Sequence, residues 1–331
     1  MPFESKVYNY NLPKESIKQT PYKDPTLSKL LIAETKQIIE FNNISSIIKK
    51  PSLFILNKSK VQSVRVVSKK STGGKIEVFV LDIKSTYIAK CLIKSNDKKI
   101  LNKKYILQDF TFEIIEILND TYKIKFNTPV TEIINSFGQI PLPPYIKDDS
   151  SKYEYYNNQF AKGGFSVASP TAGLHFTNQH IQKLIKEGHK FIFINLDVNI
   201  DTFKPITERY LEDHKIHKEN YKISREDFET ILDAKKLNID IYCIGTTSLR
   251  AIEAAFVTGQ LTSSTDYFIY PNTKINIPNY LITNFHAPNS SLLSIVDCIY
   301  GSGWKKLYKF AIESELKFLS FGDAVLFNVN E

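Results

Sequence analysis

The feature that most restricts this chain is a change of texture along it. Between Ser52 and Phe126 it runs through short β-type segments, SLFIL, SVRVVS, KIEVFVL, TYIAKCLI, FTFEIIEIL and TYKIKF, separated by clusters of Asn, Asp, Gly and Lys. Short runs rich in β-branched and aromatic residues, punctuated by turn formers, belong to a small antiparallel sheet or barrel. From Gly164 onward helical and strand segments alternate, the pattern of an α/β domain with a mostly parallel sheet.

Local signals support that second reading. Thr177 can cap a helix whose Ile181, Leu184 and Ile185 share one face, with Gly188 to end it before the strand FIFINLDV. Ser224, with Asp227 three residues on, resembles a capping box and starts a helix with Phe228, Ile231 and Leu232 inward. The strand IDIYCIG, the turn GTTS and the helix LRAIEAAFVTG follow. The first ~50 residues, with Pro13 suited to a first helical turn, read as helical and lead into SLFIL. The expected architecture is an α/β domain made of residues 1–55 and 150–331, with residues 56–149 inserted as an antiparallel β-barrel-like domain. Pro141, Pro143 and Pro144 stiffen the connection between them.

At 331 residues, 42% hydrophobic and 24% charged, the chain has the composition of a folded enzyme-sized protein and needs no disulfides. Cys91, Cys243 and Cys298 are odd in number, far apart and set in apolar runs, which reads as buried free thiols in a reducing compartment. The start lacks the basic and apolar regions of a secretion signal, and no stretch approaches the ~20 apolar residues of a membrane span, so a cytoplasmic location is expected. The net charge of +8 points to a polyanionic partner, although a bias toward Lys, Ile, Asn and Tyr also raises it. Only four of the 43 basic residues are arginines, Arg65, Arg209, Arg225 and Arg250, so each marks a place where a planar, bidentate donor has use.

Several segments can carry chemistry. SPTAGLHFT puts Thr171, Gly173 and His175 just before a helix start, where backbone N–H groups and an imidazole can meet a ligand, or where a tight turn merely needs small residues. GTTSLR follows a buried-type strand and opens a helix, so Thr246, Thr247, Ser248 and Arg250 lie where open α/β sheets bind ligands; Glu253 is the natural partner of Arg250 at i,i+3. His214 and His217 in EDHKIHKENY face one way if helical, which suits acid–base work and is also a metal-ligand spacing, but no HExxH pattern accompanies them. TNFHAPNSSLL ends a strand in Asn284 and His286, with Asn289 or Ser290 able to cap the next helix, and FGDAVLF places Asp323 in a turn before a last strand. The loop KSNDKKILNKK, with Lys94, Lys98, Lys99, Lys103 and Lys104, is the densest basic patch and a candidate RNA contact.

Together these segments resemble the S-adenosylmethionine:tRNA ribosyltransferase-isomerase family of queuosine biosynthesis. The likeness is carried in order by YNYNLPKESIKQTP, TGGKIEVFVL, GQIPLPPYI, SPTAGLHFT, EDHKIHKENY, GTTSLRAIE, TNFHAPNSSLL and SFGDAVLF. It implies an α/β domain with an inserted β-barrel. It also implies a reaction that joins the ribosyl moiety of S-adenosylmethionine to 7-aminomethyl-7-deazaguanine at the wobble position of tRNA, releasing adenine and methionine. S-adenosylmethionine is then a ribosyl-donor substrate and no metal is implied.

Such chemistry needs a base for the carbon beside the sulfonium and an acid for departing adenine. The candidates are His175, His214, His217 and His286, with Asp323 beside them; the substrate-binding candidates are Thr171, Gly173, Asp197, Asp201, Thr246, Thr247, Ser248, Arg250 and Asn284. The expectation is that His175 works at the ribose while the GTTSLR residues hold the carboxylate or hydroxyls of the donor.

The chain departs from the family pattern in LDVNIDTF, where Asp197 stands for a usual His and Asn199 and Asp201 for usual glycines. Asn272 also stands for Gly, Ala287 for Leu, Lys58 for Asp or Asn, and Lys29 and Lys317 for Arg. The competing expectations are a diverged S-adenosylmethionine enzyme with another acceptor, a non-catalytic tRNA-binding relative, and a His-dependent metal hydrolase.

Overall fold

The computed structural model describes residues 2–69, 74–97, 101–107, 110–118, 121–199, 202 and 204–329. The chain divides into two compact units, one formed by Met1–Lys60 with Leu142–Glu331 and the other by Val61–Pro141. No helix among the described residues is long and apolar enough to cross a membrane.

The first unit is built on a sheet of nine strands among the described residues. In chain order they are β1 (Lys29–Ile32), β2 (Ile38–Glu40) and β3 (Leu53–Asn57), then, after the inserted unit, β11 (Lys190–Leu196), β12 (Glu219–Lys222), β13 (Ile241–Ile244), β14 (Thr262–Thr265), β15 (Tyr280–Asn284) and β16 (Ala324–Asn328). Their order across the sheet is β14-β12-β11-β3-β13-β15-β16-β1-β2.

Strands β11, β3, β13 and β15 run parallel to one another, and β16 is parallel to β1. The pairs β14/β12, β12/β11, β15/β16 and β1/β2 are antiparallel. The sheet is therefore mixed, not mostly parallel as the alternating texture implies.

The connections explain this. A parallel neighbour requires a crossover, usually one helix. A short turn joins β1 to β2, and among the described residues no α-helix lies between β11 and β12. Between β15 and β16 two helices follow in succession, α5 (Leu292–Tyr300) and α6 (Trp304–Glu313), returning the chain to the end of the sheet where β15 finished.

Both faces of the sheet are covered, which is why β3 is buried along its whole length. Leu53 and Ile55 join the core cluster with residues of α3 (Arg225–Lys236), α4 (Thr246–Thr258), α5 and α6. Phe54 and Leu56 point the other way, to α2 (Asn178–Lys186) and Phe41 and Ile44 of a 3-10 turn.

The helix signals hold in detail. Thr177 Oγ1 accepts from the His180 N–H at 3.1 Å and Ser224 Oγ from the Asp227 N–H at 3.0 Å. One inward assignment fails: Ile181 and Leu184 are buried, but Ile185 is 42% exposed, at the edge of the apolar stripe. The N-terminal stretch is also not helical. Pro13 only precedes a 3-10 turn at Lys14–Ser16, and KLLI and IIE become β1 and β2, because their apolar side chains are used on a sheet edge.

The second unit is an antiparallel sheet curled into a half-barrel. Its strands are β4 (Arg65–Lys69), β5 (Lys75–Ser85), β6 (Ile88–Lys94), β7 (Lys104–Leu107), β8 (Phe110–Leu118), β9 (Thr121–Phe126) and β10 (Gly138–Gln139), in the order β10-β4-β5-β6-β9-β8-β7, with α1 (Val130–Phe137) before β10. Register shifts in β5 and β8 supply the local twist that curls such a sheet. Alternate residues of β8 and β6, among them Phe112, Ile114, Ala89 and Cys91, line its core. All three cysteines are free; Cys91 and Cys243 are buried, and Cys298 is half-buried with its thiol against the Thr273 carbonyl.

Candidate active site

One end of the first unit's sheet collects the motif segments. It carries the C-terminal ends of β3, β11, β13 and β15 and the N-terminal ends of β16 and β1. Two cavities open there and have Thr202, Lys204, Pro205 and Leu292 in both of their walls, so they adjoin. Thr171, Thr246, Thr247, Asn284 and His286 line the first; His214, His217 and Arg250 line the other. A further cavity, which shares Ser320 with the first, has His175 in its wall.

The first cavity is centred on the start of α4. Strand β13 ends at Ile244, and Gly245 turns the chain with φ +85°, a conformation that a residue with a Cβ rarely adopts. No side chain caps α4, so the first N–H groups of a 13-residue helix point outward with their positive end of the dipole. Beside them the hydroxyls of Ser169 and Thr247 are buried and without a partner. Ser248 behaves differently: its hydroxyl donates back to the Ile244 carbonyl at 2.8 Å and does not line the cavity.

His175 sits in the core of a relay. Its Nδ1 lies 2.7 Å from Ser28 Oγ, whose own proton has the Pro25 carbonyl to go to at 2.7 Å, and its Nε2 lies 3.2 Å from the Asn284 amide nitrogen. Thr171 Oγ1 then donates to Asn284 Oδ1 at 3.1 Å. Stacked on Phe41 and 4% exposed, the ring has both nitrogens occupied, and burial pushes its pKa down to about 4. This geometry makes His175 a neutral brace that orients Asn284 and Thr171.

His286 is also neutral, because burial pushes its pKa down to about 3. Its Nε2 lies 3.4 Å from Thr283 Oγ1, its backbone carbonyl accepts from Tyr10 OH at 2.5 Å, and the ring lines the first cavity.

His214 is placed otherwise. Its Nδ1 lies 2.7 Å from Glu208 Oε2, and its ring packs edge-on to Phe268 in the wall of the second cavity. A carboxylate on Nδ1 favours the proton there, the tautomer in which Nε2 carries the lone pair. Partial burial is the largest single influence and works against the Glu208 charge, but the hydrogen bond and charge of His214 together with nearby backbone N–H groups outweigh it, and the carboxyl pKa is lowered. His214 ends a 3-10 turn, Leu211–Asp213, and His217 lies in extended chain beyond it, so the two do not share a helical face. Among the described residues no group of three His, Cys, Asp or Glu side chains is placed to hold a metal ion.

Arg250 does not pair with Glu253, as their i,i+3 spacing implies. It forms a buried ion pair with Glu219 and donates from Nε to the Tyr267 carbonyl at 3.1 Å, and its Nη2 has no partner. Glu219 also accepts from the Asn199 N–H at 2.8 Å, so the pair braces the strand exit after β11. Glu253 instead accepts from the backbone N–H groups of Asn276 and Ile277. Burial raises its carboxyl pKa, with those hydrogen bonds acting against the rise.

The remaining candidates have support roles in this geometry. Asp323 is 1% exposed and accepts from Tyr22 OH and the backbone N–H groups of Lys29 and Lys317 at 2.7–2.8 Å. Asp197 Oδ1 accepts from Ser59 Oγ at 2.6 Å and the Phe165 N–H at 2.8 Å, tying down the loop at Gly164. Gly173 is needed because a Cβ there would meet the Asn158 amide at 2.8 Å. None of these three lines the cavities.

Asp201, Lys98 and Lys99 lie outside the described residues. Lys94, Lys103 and Lys104 are exposed on the second unit, with Lys103 paired to Asp97 at 3.0 Å. Sequence reasoning misses Ser28, Glu208, Glu219 and Ser169. Glu219 and Ser169 lie inside the motif segments, whereas Ser28 and Glu208 carry no local signal.

Comparison with known proteins agrees with this assembly of motifs. A family described as queuosine biosynthesis protein matches residues 5–327. An S-adenosylmethionine:tRNA ribosyltransferase-isomerase from Thermoanaerobacter sp. (strain X514) is 35% identical over 335 residues, covering 96% of this chain and 98% of that protein. One from Vesicomyosocius okutanii is 35% identical over 334 residues, covering 98% of each. The crystal structure of an S-adenosylmethionine tRNA ribosyltransferase from Thermotoga maritima is similar with a TM-score of 0.53 at 26% identity, over 97% of this chain and 99% of that one.

Proposed function

From the premise that the chain belongs to the S-adenosylmethionine:tRNA ribosyltransferase-isomerase family of queuosine biosynthesis, we propose that it transfers and isomerises the ribosyl moiety of S-adenosylmethionine onto 7-aminomethyl-7-deazaguanine in tRNA. Adenine and methionine are released. The observation that carries the site assignment is the uncapped start of α4 facing a cavity beside the unpartnered hydroxyls of Ser169 and Thr247. Helix N–H groups and spare hydroxyl donors suit a carboxylate, here that of the methionine part of the donor. Thr246 and Arg250 extend this polar wall, and the donor runs from the first cavity into the space that His214 lines.

In this reading the Glu208–His214 pair removes the proton. The C–H bond beside the sulfonium breaks, its electron pair stays on carbon, and the proton passes to Nε2 of His214, where Glu208 neutralises the imidazolium. The glycosidic C–N bond later breaks with its pair going to adenine, which takes up a proton and departs neutral; the aminomethyl nitrogen forms its bond to a ribosyl carbon and gives up a proton, and the C–S bond breaks with its pair staying on the sulfur of departing methionine. His286 and Asn284 offer hydrogen bonds to ribose hydroxyls, and His175 holds Asn284 in place. The lysines Lys94, Lys103 and Lys104 meet tRNA phosphates, and the reaction calls for no metal.

The reading is tested with S-adenosylmethionine labelled either in the ribose or in the methyl group, incubated with tRNA that carries the deazaguanine. Ribose label is expected to enter the tRNA and methyl label to stay out. Methyl transfer, or no transfer of either label, would contradict it. His214→Ala is expected to lower kcat by about 10²–10⁴-fold, the usual contribution of a positioned base.

A further inference from the structure

We infer that the cavity bounded by Tyr22, Tyr155, Asn158 and Phe321 is a slot for a base swung out of a single-stranded loop, and that its occupant is the deazaguanine of the tRNA. The inference rests on the reading above, which gives the other two, adjoining cavities to S-adenosylmethionine and leaves the second base of the reaction without a place.

The volume, about 320 Å³, lies at the lower end of the range usual for small-molecule sites, roughly 300–1,000 Å³. Its wall alternates rings with amides, the combination that reads extruded bases by stacking and by hydrogen bonds to their edges. Tyr22 is held in place from two sides, by its hydroxyl on Asp323 at 2.8 Å and by the Lys18 ammonium 3.8 Å from its ring centroid. Tyr155 stands at the mouth, 44% exposed, although a ring of that size is ordinarily better covered unless it has something to stack on. Phe321 forms part of the buried back wall.

Asn158 supplies the polar contact. It is 5% exposed; its Nδ2 donates to the Asn57 carbonyl at 3.3 Å, while its Oδ1 has no partner. The absence of a Cβ at Gly173 lets this amide lie where it does. A buried acceptor left unmet is costly, and a turn of the Asn158 amide toward the slot lets a guanine-type base, which brings N–H donors, satisfy it. Ser320 lines both this slot and the first cavity, which sets the slot beside the cavity assigned to the donor.

The test compares the full-length protein with Tyr155→Ala, Tyr155→Phe and Asn158→Asp in steady-state assays. Tyr155 is at the surface, so its removal leaves the fold in place. Loss of one base stack is expected to raise the KM for tRNA roughly tenfold in Tyr155→Ala, with the KM for S-adenosylmethionine unchanged and the Phe variant close to the parent. Asn158→Asp, which keeps the shape of the side chain, is expected to raise the same KM. A rise in the KM for S-adenosylmethionine alone, or no change in either, overturns the assignment. Calorimetry with free 7-aminomethyl-7-deazaguanine separates the slot from the reaction. Binding that Tyr155→Ala weakens, in a protein that transfers no ribose, sustains the slot while the proposed activity falls.

Discussion

His175 illustrates how burial decides the part a residue plays. An imidazole with Ser28 on one nitrogen and Asn284 on the other has no free position for proton transfer, and its depressed pKa leaves it neutral near pH 7. The same burial has a thermodynamic consequence. Between pH 6.5, its ordinary value, and about 4, the unfolded chain binds a proton on this ring that the folded chain does not. Stability therefore falls as pH drops through that window, by an amount on the order of 3 kcal/mol at full extent.

In His175→Asn this share of the acid loss disappears, while the variant is less stable at neutral pH because its neighbours lose their partner. Urea unfolding at about pH 7 and about pH 4.5 reads both effects. An acid loss equal to that of the parent would show that this ring is not the source. The residue scale is also where sequence says least. His175 and His214 look alike in their motifs, and only the distant Ser28 and the separate Glu208 tell a buried brace from the histidine proposed as base.

At the scale of the element, the start of α4 is the feature on which the site depends. The segment CIGTTSLR was legible as strand, turn and helix because a buried apolar run, a glycine and small hydroxyl residues each have one local preference here. Gly245 combines φ +85° with ψ 152°, a region nearly closed to other residues, and an added Cβ would come within 3.3 Å of the Ala172 Cβ. Gly245→Ala is expected to cost about 1–3 kcal/mol of stability and, by displacing the helix N-terminus, to raise the KM for S-adenosylmethionine more than it lowers kcat. An unchanged KM in a folded variant would remove α4 from the donor site.

Departures from the family pattern are resolved at the same scale. Asn272, in place of Gly, has φ +76°, which asparagine tolerates, and Asn199 is not among the residues with positive φ. The expected N-terminal helix failed because its apolar residues suit a strand edge as well as a helix face, an ambiguity that only the partner strand removes.

For the whole molecule, the change in sequence texture suggests an insert at residues 56–149, and the second compact unit spans Val61–Pro141. The direction of the strands was not visible in that texture. Whether a neighbour runs parallel depends on how many helices separate two strands and on which end the chain returns to, and periodicity carries neither. The positive charge acts at this scale too. If Lys94, Lys103 and Lys104 bind phosphates, replacing all three by Ala reduces the slope of log K against log salt for tRNA binding by about 0.7–0.9 per phosphate no longer neutralised. Filter binding across a salt series gives that slope. Parallel lines for parent and variant would place the tRNA elsewhere.

The central claim is that the space beside α4 uses S-adenosylmethionine as a ribosyl donor to tRNA. Adenine release by the purified protein, measured with and without tRNA carrying 7-aminomethyl-7-deazaguanine, tests it most directly. The account expects adenine to appear in step with methionine and only when that tRNA is present. Release that does not depend on the tRNA, or tRNA binding with no release at all, would contradict it.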